Sequence, residues 1–134
     1  MMDLSFAAAV RLCLDKDPRF NPAAYELVRD ALHHACAKFR QGADDKHVSG
    51  QELLEGFREH LLGEYGPASS IVLEEWGLTR GLDVGQIVYN LIEVGYFGRN
   101  EGDELSDFDG GYDFATAFHE PFLPTSQKAA QAAA

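Results

Sequence analysis

Apolar residues recur at the 3.6-residue period of a helix with one buried face through the first 95 or so positions of the chain. Asp3 is placed to cap a first helix through about Leu14, with Phe6, Val10, Cys13 and Leu14 inward; Pro18 then breaks it. Asn21-Pro22 opens a second, whose stripe is Tyr25, Val28, Leu32, Ala35, Cys36 and Phe39 and whose end is Gln41-Gly42. Ser49 and Glu52 have the spacing of a capping box, with Val48 and Leu53 as its hydrophobic staple, and Leu54, Phe57, Leu61 and Tyr65 continue a third helix. Gly56 and Gly63 inside it point to close approach of a neighbouring helix. Ala68 to Trp76 reads as a short fourth helix with Ile71, Val72 and Trp76 inward and Gly77 as its stop. The fifth carries Val84, Ile87, Val88, Leu91 and Ile92 on one stripe and stops at Gly95.

After Gly98 the period is lost. Two polar turns, Asn100 to Glu104 and Asp109-Gly110-Gly111, separate aromatic pieces, and Tyr96-Phe97 and Tyr112 to Phe114 are expected to pair as a small hairpin. Phe108, Phe114, Phe118 and Phe122 are expected to anchor this segment over the helices. The pattern therefore predicts a mainly α (α+β) domain of about five helices with a small C-terminal β-hairpin, in winged-helix-like order. It spans residues 1–124, and 125–134 is expected to be a disordered tail.

Composition agrees with one domain: 134 residues, 46% hydrophobic and 25% charged. No apolar run approaches the roughly 20 residues of a membrane span. Asp3 and Arg11 interrupt the only candidate signal segment, so the expectation is a cytoplasmic protein with no membrane contact. Cys13 and Cys36 lie in apolar stripes and read as small buried hydrophobes, not a disulfide. The net charge of −11 is uneven. Residues 1–48 are neutral, 49–97 set eight acids against Arg58 and Arg80, and 98–134 set seven against Arg99 and Lys128.

Three pieces of the sequence, His47-Val-Ser-Gly-Gln-Glu-Leu-Leu-Glu-Gly56, Trp76-Gly-Leu78 with Val84-Gly-Gln-Ile-Val-Tyr-Asn-Leu91, and Tyr112-Asp-Phe114, resemble a family of small, functionally uncharacterised bacterial proteins known mainly from planctomycetes and verrucomicrobia. The resemblance covers about Leu4 to Pro124 and implies a single bacterial cytoplasmic domain. It implies no activity, cofactor or catalytic residue.

Ligand types for a metal are present without ligand spacing. His33 and His34 diverge by about 100° on a helix, the two cysteines are far apart, and no second pair accompanies them. Asp107, Asp109, Gly110 and Asp113 resemble part of a Ca²⁺ loop, but Leu105 and Thr116 occupy the terminal ligand positions, so an acidic turn is the better reading. No nucleophile elbow, dinucleotide fingerprint or phosphate loop occurs. The sequence thus assigns no catalytic residue, cofactor or metal ligand, and a small enzyme or metal-binding protein is the weakest alternative.

A winged-helix nucleic-acid-associated regulator is the nearer alternative, with the fifth helix in the recognition position. Gln86 and Asn90 there have the chemistry to read adenine. Yet no Lys or Arg lies between Leu82 and Gly98, and phosphate binding needs several. The expectation is therefore a non-catalytic interaction or regulatory module whose acidic surface suits a basic protein partner or self-association, with nucleic acid disfavoured. Its candidate contact residues are Gln86, Tyr89, Asn90, Glu93, Tyr96 and Tyr112.

Overall fold

Three helices start with the same device, a side-chain oxygen taking a backbone N–H that has no partner inside the helix. In the computed structural model, which describes residues 4–44, 47–98 and 104–124, Ser5 accepts from Ala8 N at 3.1 Å and opens α1 (Phe6–Lys16). Asn21 accepts from Ala23 N at 2.9 Å and opens α2 (Pro22–Phe39), with Pro22 at the first position. Ser49 and Glu52 form the expected box at 3.1 and 2.9 Å and open α3 (Gly50–Tyr65). Ser5, not Asp3, caps α1; Asp3 and the expected tail 125–134 lie outside the described residues.

Two shorter helices follow, α4 (Ser69–Trp76) and α5 (Gly81–Glu93). Gly77 ends α4 in the left-handed region at φ +86°, and a Cβ there would lie 2.7 Å from the Arg19 carbonyl oxygen. Only glycine relieves both constraints. Val72 and Trp76 of α4 pack against the core as expected, but Leu73 is its buried apolar residue and Ile71 is 62% exposed. An eight-residue helix has little periodicity to read, and the preceding Gly66–Ala68 3₁₀ turn sets its rotation.

The α2–α3 pair is the most extensive helix contact. Gly56 makes it possible, since a Cβ there would lie 2.7 Å from the Ala35 Cβ; Gly63 faces open space and has no such role. Ion pairs close the seam in antiparallel register: His34 and Lys38 meet Glu59, and Arg40 meets Glu52 at 2.7 Å. Partly exposed pairs of this kind contribute about 0–1 kcal/mol each, so register and not stability is their main effect. Helix α5 touches α1, α2 and α3, and its Val84, Ile87 and Leu91 are fully buried. The five-helix expectation for residues up to Gly95 therefore holds.

The hairpin does not form, and the chain is mainly α without the β part or the winged-helix-like arrangement. No strand occurs among the described residues. The reason lies in the backbone donors. Tyr96 N and Phe97 N both turn back to the Leu91 carbonyl, at 2.9 and 3.2 Å, as the C-terminal closure of α5 beyond Gly95. They are not available to a ladder. Tyr112 is held elsewhere, its hydroxyl donating to the Leu54 carbonyl of α3 at 2.6 Å. The segment instead makes a 3₁₀ turn at Leu105–Phe108, one π turn at Ala115–His119 and another 3₁₀ turn at Glu120–Phe122. Phe108 sits against Gly85 of α5, where a Cβ would come within 2.6 Å of its ring. Phe114 and Phe118 pack on Phe57, each at 6.1 Å between centroids. Three of the four expected anchors are buried; Phe122 is 42% exposed. Among the described residues no helix is long and apolar enough to cross a membrane.

Candidate functional site

Five of the six residues expected at a contact surface are buried or half-buried. Asn90 is only 7% exposed and faces inward, and Gln86 is half-buried beside it. Tyr89, Tyr96 and Tyr112 are half-buried and pack against the core. Tyr96 lies edge-on to Phe6 of α1 at 5.1 Å, and Tyr112 roofs Phe114 and Phe118. Glu93 is exposed. The outward face of α5 read from the sequence is thus largely a packing face.

Asn90 centres a polar network instead. Its amide oxygen accepts from Gln86 Nε2 at 2.9 Å, and its amide nitrogen donates to the Tyr25 hydroxyl and to Asp17 Oδ2, both at 3.0 Å. Asp17 also accepts from Arg19 Nε and Nη2, each at 2.7 Å. Three elements meet here: the end of α1, the first turns of α2 and the last turns of α5. The Tyr25 phenol has zero exposure, and burial pushes its pKa up to about 12. Burial likewise raises the Cys13 thiol. Arg19, with a smaller contribution from Asn90, holds Asp17 well below the usual carboxylate range.

These shifts decide what the network does. A nucleophile wants a lowered thiol or phenol pKa and an adjacent base; here both acids are held protonated, and the one carboxylate is committed to Arg19 and Asn90. The network is a latch between helices. Its signal was in the sequence, as Tyr25 placed mid-stripe on α2 with a hydroxyl that burial obliges to find a partner. An acid-stability prediction follows. The folded pKa of Asp17 lies below its ordinary 3.8, so its contribution is complete above that value and is lost as pH falls through it toward the folded value. Urea midpoints measured from pH 7 to pH 2.5 should therefore fall on the acid side. The fall should be shallower in Asp17→Asn, with the remaining slope due to Glu52, Glu55 and Glu59, whose pKa values are also lowered.

Among the depressions formed by the described residues, two border the elements already introduced. One of about 280 Å³ lies between the start of α5 and the closing segment, lined by Arg80, Gly81, Phe108, Gly111, Tyr112 and Asp113 among others. The acidic turn 107–113, weighed above as a cation loop, forms part of its wall, and residues 101–103 of that loop lie outside the described residues. Its Asp107 and Asp113 carboxylates are occupied locally, accepting from Glu104 N at 3.0 Å and Thr116 N at 3.2 Å. The second, of about 160 Å³, lies where α2, α3 and α4 meet. Ala23, Glu26, Leu27 and Asp30 of α2, His60, Glu64 and Tyr65 of α3, and Trp76 of α4 line it. Tyr65 and Trp76 stand perpendicular at 5.8 Å. The sequence reading placed both aromatics in the core, and Tyr65 is 37% exposed.

Charge is partitioned between these faces. Lys38, Arg40 and Arg58 all meet carboxylates on or beside the α2–α3 seam. Arg19 is engaged by Asp17, and Arg29 by Asp30 and the Phe6 ring. The end of α3 and the length of α4 carry exposed Glu64, Glu74 and Glu75 with no lysine or arginine on α4 itself. Comparison of the chain with protein-family models, with curated proteins and with solved structures returns no match.

Proposed function

We propose that the chain is a non-catalytic, cytoplasmic protein-interaction module of regulatory kind, which binds a basic partner through the acidic face formed by α4 and the adjoining end of α3. Kinship with the small bacterial family belongs to the same proposal and rests on the motifs quoted above. The observation that carries the reading is the charge partition. Of the cations that pair in the helical body, Lys38, Arg40 and Arg58 are drawn onto the α2–α3 seam, while Glu64, Glu74 and Glu75 are exposed with no ion-pair partner among the described residues. A chain at net −11 repels polyanions, and an unneutralised acidic face raises the encounter rate with cationic partners.

The experiment is a fluorescence-anisotropy titration with a labelled Lys/Arg-rich peptide, an acidic peptide of equal length and a DNA duplex. The basic peptide should bind at low ionic strength and weaken as the screening length shortens to about 10 Å near 0.1 M salt. The acidic peptide and the duplex should not bind. Equal binding of both peptides, or none, overturns the reading; duplex binding with a steep salt dependence replaces it with a nucleic-acid role.

A further inference from the structure

The α2–α3–α4 groove has a composition that the rest of the acidic face lacks. Two aromatic rings at right angles, Tyr65 and Trp76, form one corner of it. Carboxylates stand on its other sides, Glu26 and Asp30 from α2 and Glu64 from α3. Asp30 already meets Arg29 at 3.3 Å, whereas Glu26 and Glu64 have no ion-pair partner among the described residues. His60 is the remaining polar group of the lining, and no lysine or arginine belongs to it. Its volume of about 160 Å³ is well below the roughly 300 Å³ at which pockets for whole small-molecule ligands begin. It suits one side chain.

We infer that this groove takes an arginine side chain of the basic partner. The inference rests on the acidic-face reading above and gives it an address. A guanidinium is flat, permanently charged and weakly hydrated, so it stacks on an aromatic face and directs its N–H groups at carboxylates in the ring plane. The groove supplies both kinds of contact at once: an aromatic corner for stacking, and Glu26 and Glu64 as acceptors that nothing else in the described structure uses. A lysine ammonium is a compact, strongly hydrated charge and gains less from an aromatic corner. Arginine is therefore the preferred occupant. The helices that build the groove are fixed independently of it, by Gly56 against Ala35 and by the Asn21 N–H on the Trp76 carbonyl at 3.2 Å, so the site is preformed.

Trp76 is the only tryptophan in the chain, so emission excited selectively at tryptophan reports on this groove. The test titrates the full chain with an arginine-rich peptide and with versions carrying lysine or citrulline, the neutral isostere, at the same positions. Binding is followed by anisotropy and by Trp76 emission together. The expected result is a shift in emission that saturates with the anisotropy. Lysine should weaken the arginine peptide's affinity, and citrulline should weaken it about tenfold or more, the scale of one desolvated cation–aromatic contact together with its charge pair. In Glu26→Gln/Glu64→Gln a similar loss is expected with an unchanged urea midpoint; Glu74→Gln/Glu75→Gln should lose less than about threefold, as for exposed rim charges. Binding that leaves Trp76 emission unmoved, or that falls with the Glu74/Glu75 pair and not with the Glu26/Glu64 pair, overturns the groove and leaves the acidic-face reading standing. No binding by the wild-type chain overturns both.

Discussion

Phe118→Ala should destabilise the protein by about 3–5 kcal/mol, the range for removing a fully buried aromatic side chain and leaving part of its volume empty. Against a total stability of roughly 5–15 kcal/mol that is a large fraction. Phe118 has zero exposure, although it lies only six residues before the end of the described chain. Its ring meets Phe57 of α3 at 6.1 Å, Tyr112 at 5.8 Å and Phe114 at 5.3 Å, so its loss opens a cavity bounded by three other rings. Those rings belong to a chain held by the Tyr112 hydroxyl on the Leu54 carbonyl and by the Gln51 amide on the Asp107 carbonyl, at 2.6 and 2.8 Å, and they cannot simply slide inward. Phe122→Ala is the contrast. At 42% exposure it should change stability by no more than about 1 kcal/mol. Urea unfolding of the two variants, followed by far-ultraviolet dichroism, measures both. Similar small losses would mean that residues 104–124 are an appendage and not part of the cooperative core; a single transition with the large difference would establish them as the fourth side of the helical body.

The helices were legible because their signals are local: Ser49 with Glu52, Asn21 with Pro22, and the buried triplet of α5 at the helical period. The aromatic residues beyond Gly95 have strand propensity between turn residues, and propensity for strands reports mainly a fit to a half-buried surface. The surface these rings fit was supplied by helices. What decided the matter was the destination of the Tyr96 and Phe97 N–H groups and of the Tyr112 hydroxyl, and no local pattern specifies a bond from residue 112 to residue 54.

The candidate site was less legible still. A helical wheel assigned Asn90 to the outward face of α5 because it is polar, but α1 and the start of α2 cover that side and Asp17 and Tyr25 arrive there from 73 and 65 residues away. The groove at Tyr65 and Trp76 draws on three helices. Their contributions look ordinary in their own elements: an exposed glutamate on α2, a tyrosine at the end of α3, a tryptophan before a stop glycine. Of the α5 residues proposed for contact, Asn90 is buried, Gln86 and Tyr89 are half-buried and Glu93 is exposed.

Asn90→Asp should be among the most damaging single-atom-scale changes in the chain, and its damage should depend on pH in a direction opposite to that of Asp17. The substitution keeps shape and volume while replacing the amide nitrogen, which donates to Asp17 and to the Tyr25 hydroxyl, by an oxygen. At pH 7 a second carboxylate would then stand about one hydrogen-bond length from the first at a position 7% exposed. Like charges so placed cannot both ionise without strong penalty, and an uncompensated buried charge costs about 3–5 kcal/mol. Some of this is recovered because the Tyr25 hydroxyl can reverse and donate, so about 2–4 kcal/mol is the expected net loss. The sign follows from linkage. Crowding by Asp17 raises the folded pKa of the new carboxyl above its unfolded value near 4, so the penalty is absent below that value and grows as pH rises to the folded pKa. Below it the protonated carboxyl can donate one hydrogen bond, to Asp17, while the Tyr25 hydroxyl turns to donate to its other oxygen. Asn90→Ala separates charge from geometry: it should cost about 1–3 kcal/mol with little pH dependence of its own, because it only leaves polar partners unmet. Urea midpoints of both variants relative to wild type, at pH 4.5 and pH 7.5, decide it. A penalty for Asn90→Asp that is the same at both values would show that water reaches Asp17 and Tyr25, and that the latch between α1, α2 and α5 is looser than its bond lengths imply.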